Sequence, residues 1–284
     1  MIVDFHTHIF APDIVAHRDA YFDDRNFAAL YADRSARLID ANTLIKAMDE
    51  MKVDRSVAMG FPWLTEKLCR KQNEYFVESS NSTSNRILCF GSVPVKDKKA
   101  LRRTVREISS FKLSGIGETA FYDGLNNKSS QYLHNLLEAA EEYALPVCIH
   151  VNEPVGHLYP GKYEPNISLM YDIIKEHPKA LIILAHWGGG FPFYELMPEV
   201  KGALKNVYYD CAASPFLYDE QIFSVVISLV GAQKILFGSD YPLISFKRYI
   251  DQINKIVNSA KERKLILGGN AESILALALN PLKK

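Results

Sequence analysis

Two histidines near the start of the chain are the first residues whose types and spacing could support chemistry. The opening residues MIVDFHTH place an apolar run of strand length before a His-x-His motif made of His6 and His8. Alternate residues of a strand point to the same side, so the two imidazoles project together. Neutral imidazoles are common metal ligands, and two of them form half of a metal site. The alternative is one hydrogen-bonded histidine beside one solvated histidine.

Later apolar segments end in residues of the same chemical kind. The segments LSGIGE, PVCIH, ALIILAH and KILFGSD are typical of short buried strands, and their last residues are Glu118, His150, His186 and Asp240. Parallel strands bring their carboxyl ends to one face of a barrel, where catalytic groups lie. We therefore expect these side chains to converge with His6 and His8.

A cluster of imidazoles and carboxylates favours a catalytic divalent ion. Zinc and similar ions bind imidazole nitrogen and carboxylate oxygen, and a catalytic ion lowers the pKa of a bound water to about 7. Attack by the resulting hydroxide also needs a general base and a group that protonates the leaving atom. We predict that Asp240 both holds the ion and accepts a proton from the bound water. We predict that His186 polarises the substrate or transfers a proton.

The elements that must position these residues alternate regularly along the chain. Eight strand-like segments, beginning near residues 2, 55, 87, 113, 146, 180, 207 and 234, are separated by segments with helical periodicity. Several strands are apolar throughout, as in parallel sheets that are covered on both faces. The pattern predicts a (β/α)8 TIM barrel in the α/β class, with a doubly wound open sheet as the alternative. We expect a single domain over residues 1–284, with a long excursion over residues 9–41 that contains some helix.

Composition excludes several classes of partner. Lys plus Arg (33) and Asp plus Glu (33) balance, which argues against nucleic acid held by bulk charge. No apolar run reaches the length of about 20 residues that a membrane span needs. The 4 cysteines are scattered without a CxxC pair, and no leader precedes the first strand, so we expect reduced thiols in a cytoplasmic protein.

Four phrases of the sequence resemble the motifs of one enzyme superfamily. DFHTH, PVCIH, LAHWGG and FGSDYP are similar to the motifs of the amidohydrolase superfamily, and in particular to its amidohydrolase 2 branch of metal-dependent TIM barrels. The resemblance extends from residue 2 to the GNA that begins at residue 269. It implies that His6, His8, Asp240 and His150 bind metal, and that His186 is either a ligand or an acid/base.

Glu118 bears on the subtype within that superfamily. Binuclear members carry a carboxylated lysine or a glutamate at this strand end, and GIGE resembles the glutamate version, which is also present in TatD-type hydrolases. Many decarboxylases of the branch hold one metal and lack this glutamate. The resemblance thus favours Glu118 as a metal ligand with one or two ions. The alternative is a hydrogen-bond acceptor that orients a ligand histidine.

Substrate-binding residues are harder to assign. The loop after His150 carries His157 and Lys162, which could contact a substrate or could simply be surface residues. Trp187, directly after His186, could line the pocket or pack in the core.

The sequence therefore predicts a metal-dependent hydrolase that cleaves an amide, lactone or ester of a small molecule. Zinc is the expected ion, with manganese, iron or cobalt as alternatives. Competing functions are a metal-dependent decarboxylase or hydratase of a carboxylated ring compound, a TatD-like phosphodiesterase and a non-catalytic sensor. A homodimer is possible, but no residue of the chain requires one.

Overall fold

A computed structural model describes residues 1–95 and 97–279, with backbone alone at 98, 278 and 279. Residues 96 and 280–284, which belong to the domain predicted over 1–284, lie outside the described residues. Eight parallel strands follow one another around the sheet in chain order. They are β1 Val3–Thr7, β2 Arg55–Met59, β3 Ile87–Gly91, β4 Gly115–Thr119, β5 Val147–Ile149, β6 Ile182–Leu184, β7 Val207–Asp210 and β8 Ile235–Leu236. The predicted (β/α)8 barrel is confirmed.

The last strand meets the first through backbone hydrogen bonds. Phe5 N donates to Phe237 O at 2.7 Å, and Asp240 N donates to His6 O at 2.9 Å. His8 N donates to Tyr241 O at 2.8 Å. These bonds bring the chain after β8 alongside β1 and nearly close the barrel.

Helices surround the sheet and cover one end of it. They are α1 Pro12–Ala16, α2 Arg25–Tyr31, α3 Ala41–Met51, α4 Glu66–Ser82, α5 Lys98–Ser110, α6 Asn127–Tyr143, α7 Ile167–Glu176, α8 Phe191–Tyr194, α9 Pro198–Ala203, α10 Ser214–Leu217, α11 Ile222–Val230, α12 Phe246–Ile256, α13 Ala260–Lys264 and α14 Asn270–Leu279. Several have side-chain caps at their N-termini: Asp40 accepts from Thr43 N, and Asn126 forms a capping box with Ser129.

Strand residues divide between two cores because successive side chains point to opposite faces. On β2, Val57 and Met59 pack in a cluster with Phe5 and Phe90, whereas Ala58 packs against residues of the surrounding helices. The first cluster fills the barrel interior, and Ile274 of α14 joins it. All residues of β3 and β4 are buried, and β3 is apolar throughout, whereas β4 also carries the polar residues Glu118 and Thr119.

The excursion after β1 forms a small core of its own. It contains α1, a 3₁₀ turn at Arg18–Tyr21 and α2, so the predicted helix is present. Phe27 stacks on Trp63 with ring centroids 5.0 Å apart, and Phe10 packs edge-on to both rings. Asp24 caps α2 and also accepts from Leu64 N at 2.8 Å, which ties the excursion to the segment after β2.

The cysteines, the possibility of a membrane-spanning helix and the connection between β6 and β7 can also be examined in the described residues. Cys69, Cys89, Cys148 and Cys211 are all buried free thiols. Among the described helices, none combines the length and apolarity needed to cross a bilayer. The connection between β6 and β7 contains two short helices, α8 and α9, and both begin at or beside a proline.

Candidate metal centre

His6 and His8 lie together at the carboxyl end of β1. Their Nε2 atoms are 3.2 Å apart, and His6 is fully buried. His6 Nδ1 lies 2.8 Å from Asp210 Oδ2, to which it can donate, and this orientation directs His6 Nε2 at His8. The pairing predicted from the His-x-His spacing is therefore present.

Asp240 approaches these two histidines from the other side of the barrel seam. Its Oδ1 is 3.0 Å from His8 Nε2 and 4.0 Å from His6 Nε2. The residue has a φ of 62°, and regular β8 ends before it at Leu236. The strand predicted over 234–240 is therefore too long, because the chain turns after Leu236 to align its backbone with β1.

A second group forms around Glu118 at the end of β4. Glu118 Oε1 lies 2.8 Å from His150 Nδ1 and 3.2 Å from His186 Nε2. His186 Nδ1 donates to Ala212 O at 3.1 Å, so its Nε2 is the atom available for chemistry. Glu118 Oε2 is also 3.6 Å from His6 Nε2, which joins this group to the first.

His186 does not end a strand as the sequence predicts. β6 stops at Leu184, and His186 has a φ of 55° at the start of a tight 3₁₀ turn. Its backbone N donates to Asp210 Oδ1 at 2.9 Å, which holds the turn against β7. The side chain nevertheless reaches the predicted cluster.

The charges of the cluster shift its pKa values in opposite directions. Burial alone would lower the pKa of His6. The negative charges of Asp210 and Glu118 have the larger combined effect and raise the pKa well above its usual range. Burial likewise opposes the charge on His186, and the hydrogen bond to Glu118 still raises that pKa to about 9. Burial favours a neutral Glu118, yet His150 and His6 hold its pKa well below the usual value. Without a cation, the carboxylates therefore retain protons on the imidazoles, and a bound cation would displace them.

These residues fit a divalent ion. The ligand atoms of His6, His8 and Asp240 all lie within 4.8 Å of one another, and so do those of His6, Glu118 and His186. Ligands about 2.0–2.1 Å from a tetrahedral zinc are separated by about 3.3 Å, and the His6–His8 distance matches this value. His150 Nε2 is buried without a hydrogen-bond partner in the described part of the chain, as expected of a ligand atom awaiting an ion. Two overlapping groups provide room for one ion or two.

The sequence analysis did not identify Asp210, which holds His6 and the backbone of His186 in position. This fully buried residue accepts from His6 Nδ1 through one oxygen, and from the backbone N of His186 and Ala212 through the other. The sequence analysis placed a strand beginning near residue 207 but gave no role to its acidic residue. The available signal was that this carboxylate is the last residue of β7, where an unpaired buried charge is costly.

Two glycines allow the strands to approach closely at the site. A Cβ on Gly117 would lie 2.3 Å from Cys148 O, and its φ of +121° disfavours other residues. A Cβ on Gly238 would lie 2.8 Å from His6 Cβ. Gly117 directly precedes Glu118, and Gly238 lies two residues before Asp240. Because neither glycine has a side chain, the backbone can pass close enough to its neighbours for Glu118 and Asp240 to reach the cluster.

Aromatic residues from three segments surround the cluster. Tyr122 and Tyr163 lie with ring centroids 6.1 and 6.0 Å from that of His150, and Tyr163 OH donates to His150 O at 2.7 Å. Burial, followed by the negative charges of Asp240 and Glu118, raises the pKa of Tyr31. The excursion therefore contributes a phenol near the carboxylates, which the sequence analysis did not identify.

The structure shows the local surroundings of the three residues that the sequence analysis proposed for substrate binding. His157 is exposed, and Lys162 Nζ donates to Val155 O at 2.7 Å and His157 O at 3.0 Å. Lys162 therefore fixes the conformation of its own loop. Trp187 is fully buried and donates to Ser214 Oγ at 2.9 Å, which favours the core-packing alternative because it offers a substrate no surface.

Comparison with known proteins identifies the family. The model of the family described as "Amidohydrolase" matches residues 3–277. The chain belongs to the amidohydrolase family. The resemblance identified in the sequence is thus confirmed, and a divalent metal agrees with the donor set described above.

Curated relatives of this amidohydrolase are distant. It is 23% identical over 248 residues to a 2-amino-3-carboxymuconate-6-semialdehyde decarboxylase of Dictyostelium discoideum, covering 75% of this chain and 67% of the relative. It is 22% identical over 256 residues to a gamma-resorcylate decarboxylase of Rhizobium sp. (strain MTP-10005), covering 74% and 76%.

Solved structures share the fold over nearly the whole chain. A 5-carboxyvanillate decarboxylase from Sphingomonas paucimobilis superposes with a TM-score of 0.76 at 16% identity, covering 97% of this chain and 98% of that one. A dihydroxybenzoic acid decarboxylase from Polaromonas sp. JS666, solved with manganese and 2-nitroresorcinol, gives a TM-score of 0.71 at 17% identity, covering 97% of each chain.

Proposed function

We propose that this amidohydrolase-family enzyme is a metal-dependent decarboxylase of a carboxylated ring compound. The observation that carries the proposal is the similarity over most of the chain to relatives that are themselves decarboxylases. This was the alternative to the hydrolysis predicted from the sequence. Manganese, which the Polaromonas enzyme binds, is as suitable as the zinc first expected.

In this proposal one ion is held by His6, His8 and Asp240. A divalent ion at that position would act as a Lewis acid toward the oxygen atoms of a substrate carboxylate and an adjacent hydroxyl. His186 and Glu118 then stay free for proton transfer, with Oε1 and Nε2 3.2 Å apart. The phenol rings of Tyr31, Tyr122 and Tyr163 supply flat surfaces suited to an aromatic ring.

The chemical step needs one proton at the ring carbon that bears the carboxylate. The hydrogen bond to Glu118 raises the pKa of His186 and so favours its protonated form, which in this proposal donates the proton from Nε2. The bond between the ring and the carboxylate then breaks, and its electron pair restores the aromatic ring. Carbon dioxide leaves, and His186 regains a proton from solvent.

A substrate panel tests the proposal. Purified protein loaded with manganese or zinc is incubated with hydroxybenzoates that carry an ortho carboxylate, and with matched amides, lactones and esters, while released carbon dioxide and new acid are both measured. We expect carbon dioxide from at least one carboxylated ring and none from a His186→Asn variant. Acid release from an amide, lactone or ester without carbon dioxide would overturn the proposal.

Hydrolysis is kept as the second candidate because of one observation, the position of Glu118. This carboxylate lies between His6, His150 and His186, where it could bridge two ions. In that arrangement Glu118 and His186 are ligands and are not free to transfer a proton.

A Glu118→Gln variant separates the two candidates, with Glu138→Gln as a matched control on the exposed surface of α6. For a decarboxylase we expect one ion at the barrel site of each protein, so the number of ions per chain should be the same in the wild type and in both variants. The alkaline limb of kcat should move to lower pH in Glu118→Gln alone, because the charge that raises the pKa of His186 is lost. One ion fewer in Glu118→Gln than in the wild type and the control would support the hydrolase instead.

A further inference from the structure

Two histidines meet on the outer helical layer, outside the cluster described above. His134 lies on α6, and His177 follows the last residue of α7. His134 Nδ1 is 2.9 Å from His177 Nε2, and the two ring centroids are 5.2 Å apart. Neither residue takes part in the barrel site.

Carboxylates flank this histidine pair on both helices. Glu176 Oε2 lies 3.8 Å from His134 Nδ1, and Glu141 Oε1 lies 3.7 Å from the far nitrogen of His177, Nδ1. Glu138, one turn after His134, is occupied by Arg102 at 3.0 Å. His134, Glu138 and Glu141 recur at helical spacing on α6. His134 and Glu141 lie near His177, whereas Glu138 pairs with α5 through Arg102.

The pair brings two possible metal-ligand atoms together. Two ring nitrogens face each other, and in the absence of an ion a single proton can be shared between them. Glu141 Oε1 is buried and has no hydrogen-bond partner in the described part of the chain. A carboxylate behind the far nitrogen of a histidine is the usual support for a metal-ligating imidazole, because it fixes the tautomer and raises the basicity of the ligand.

We propose that this cluster is a second site for a divalent transition metal such as zinc. His134 Nδ1, His177 Nε2 and the Glu176 carboxylate are the ligands, water completes the shell, and Glu141 accepts a hydrogen bond from His177 Nδ1. The side chain of Glu176 is 69% exposed and so is free to rotate toward the ion. Imidazole ligands favour zinc and its neighbours over calcium or magnesium.

Binding at this site would link α6 to α7, the helices that follow the strands carrying Glu118 and His150. The ion would replace the proton between the two rings, and their nitrogens would separate to about the 3.3 Å expected of neighbouring ligands of a tetrahedral zinc. The proposal depends on neither the reaction nor the ion count of the barrel site.

Zinc stoichiometry tests the site directly. The full-length protein is equilibrated with zinc, freed of excess by gel filtration and analysed for zinc per chain. The variants are His134→Ala and His177→Ala, with His157→Ala as the matched exposed control. We expect both cluster variants to bind one equivalent less than the wild type, and the control to bind the same amount. Equal zinc in all four proteins would overturn the proposal.

Two further variants make the result independent of folding and of the barrel site. Glu141→Gln leaves the ligands in place and should weaken zinc binding about 10–100-fold in chelator competition. His8→Ala should remove zinc from the barrel site only. This variant should therefore keep the one equivalent of zinc that His134→Ala loses. Cobalt loaded into His8→Ala should give a visible absorption band that His134→Ala abolishes in the same background; a band that persists would place the ion elsewhere.

Discussion

Replacement of Asp210 by asparagine tests the idea that this buried carboxylate prepares His6 for metal binding. The amide oxygen can still accept from the backbone N of His186 and Ala212, which lie 2.9 and 3.0 Å from Asp210 Oδ1. The amide nitrogen, however, would face His6 Nδ1, where Asp210 Oδ2 now lies at 2.8 Å. The N–H of His6 Nδ1 and the amide NH2 would then be two donors that face each other. Otherwise His6 would move its proton to Nε2, which would no longer have a lone pair to offer an ion.

The expected cost is set by this single lost acceptor. Loss of the partner that orients a ligand histidine weakens metal binding by about 10–100-fold, which corresponds to about 1.4–2.7 kcal/mol. Loss of a hydrogen bond to a charged group also lowers the free energy of unfolding by about 1.5–3 kcal/mol. Because Asp210 is fully buried behind His6, it does not touch the substrate, and excess metal should restore most of kcat.

The assay is competition for manganese or zinc against a chromophoric chelator, with thermal unfolding of the metal-free protein measured in parallel. Asp251→Asn is the control, since this residue lies on exposed α12 and pairs with Lys247. Metal affinity in Asp210→Asn equal to that of the control would refute the reasoning. So would a loss of kcat that saturating metal does not repair.

Three more predictions concern stability and the role of Trp187. Gly117→Ala should severely reduce the yield of soluble folded protein and lower its unfolding midpoint, because the added Cβ would lie 2.3 Å from Cys148 O at a positive φ. Gly202→Ala is the control, because no atom lies within 4 Å of its added Cβ, and its unfolding midpoint should change little. Equal unfolding midpoints for the two variants would contradict this expectation. Trp187→Phe should lower the free energy of unfolding by about 1–3 kcal/mol, because it leaves buried Ser214 without its hydrogen-bond donor. The same variant should leave KM unchanged. A raised KM would show that Trp187 contacts the substrate. Glu66, whose hydrogen bond from Arg103 holds its pKa below the usual value, contributes stability that is present above pH 4.5 and is lost as the pH falls through the lowered pKa. Because the pair is largely exposed, Glu66→Gln should cost less than about 1 kcal/mol at pH 7, and a cost that persists in urea titrations at pH 3 would show that the charge is not its source.

Strand ends were the most predictable part of the site. Glu118 and His150 were found because an apolar run shows which segment is buried, and the first polar residue after it marks the mouth of a barrel. The same logic overextended β6 and β8, since His186 and Asp240 adopt left-handed backbone that no apolar pattern encodes.

Residues that support the site were not predictable in the same way. Asp210 is the last residue of β7, and only the folded barrel shows that His6 and the backbone of His186 converge on it. Tyr31 lies in the excursion, whose irregular pattern predicts some helix but not which ring reaches the carboxylates. Trp187 looked like a pocket residue because it adjoins His186, yet the turn at that point directs it into the core.

The seam between β1 and β8 has a consequence for the order of events during synthesis. His6 and His8 are synthesised before Asp240, which follows all eight strands. If these three residues hold the ion as proposed, a nascent chain lacks one ligand until the segment after its last strand is available. Chains truncated before residue 240 should then be poor metal binders.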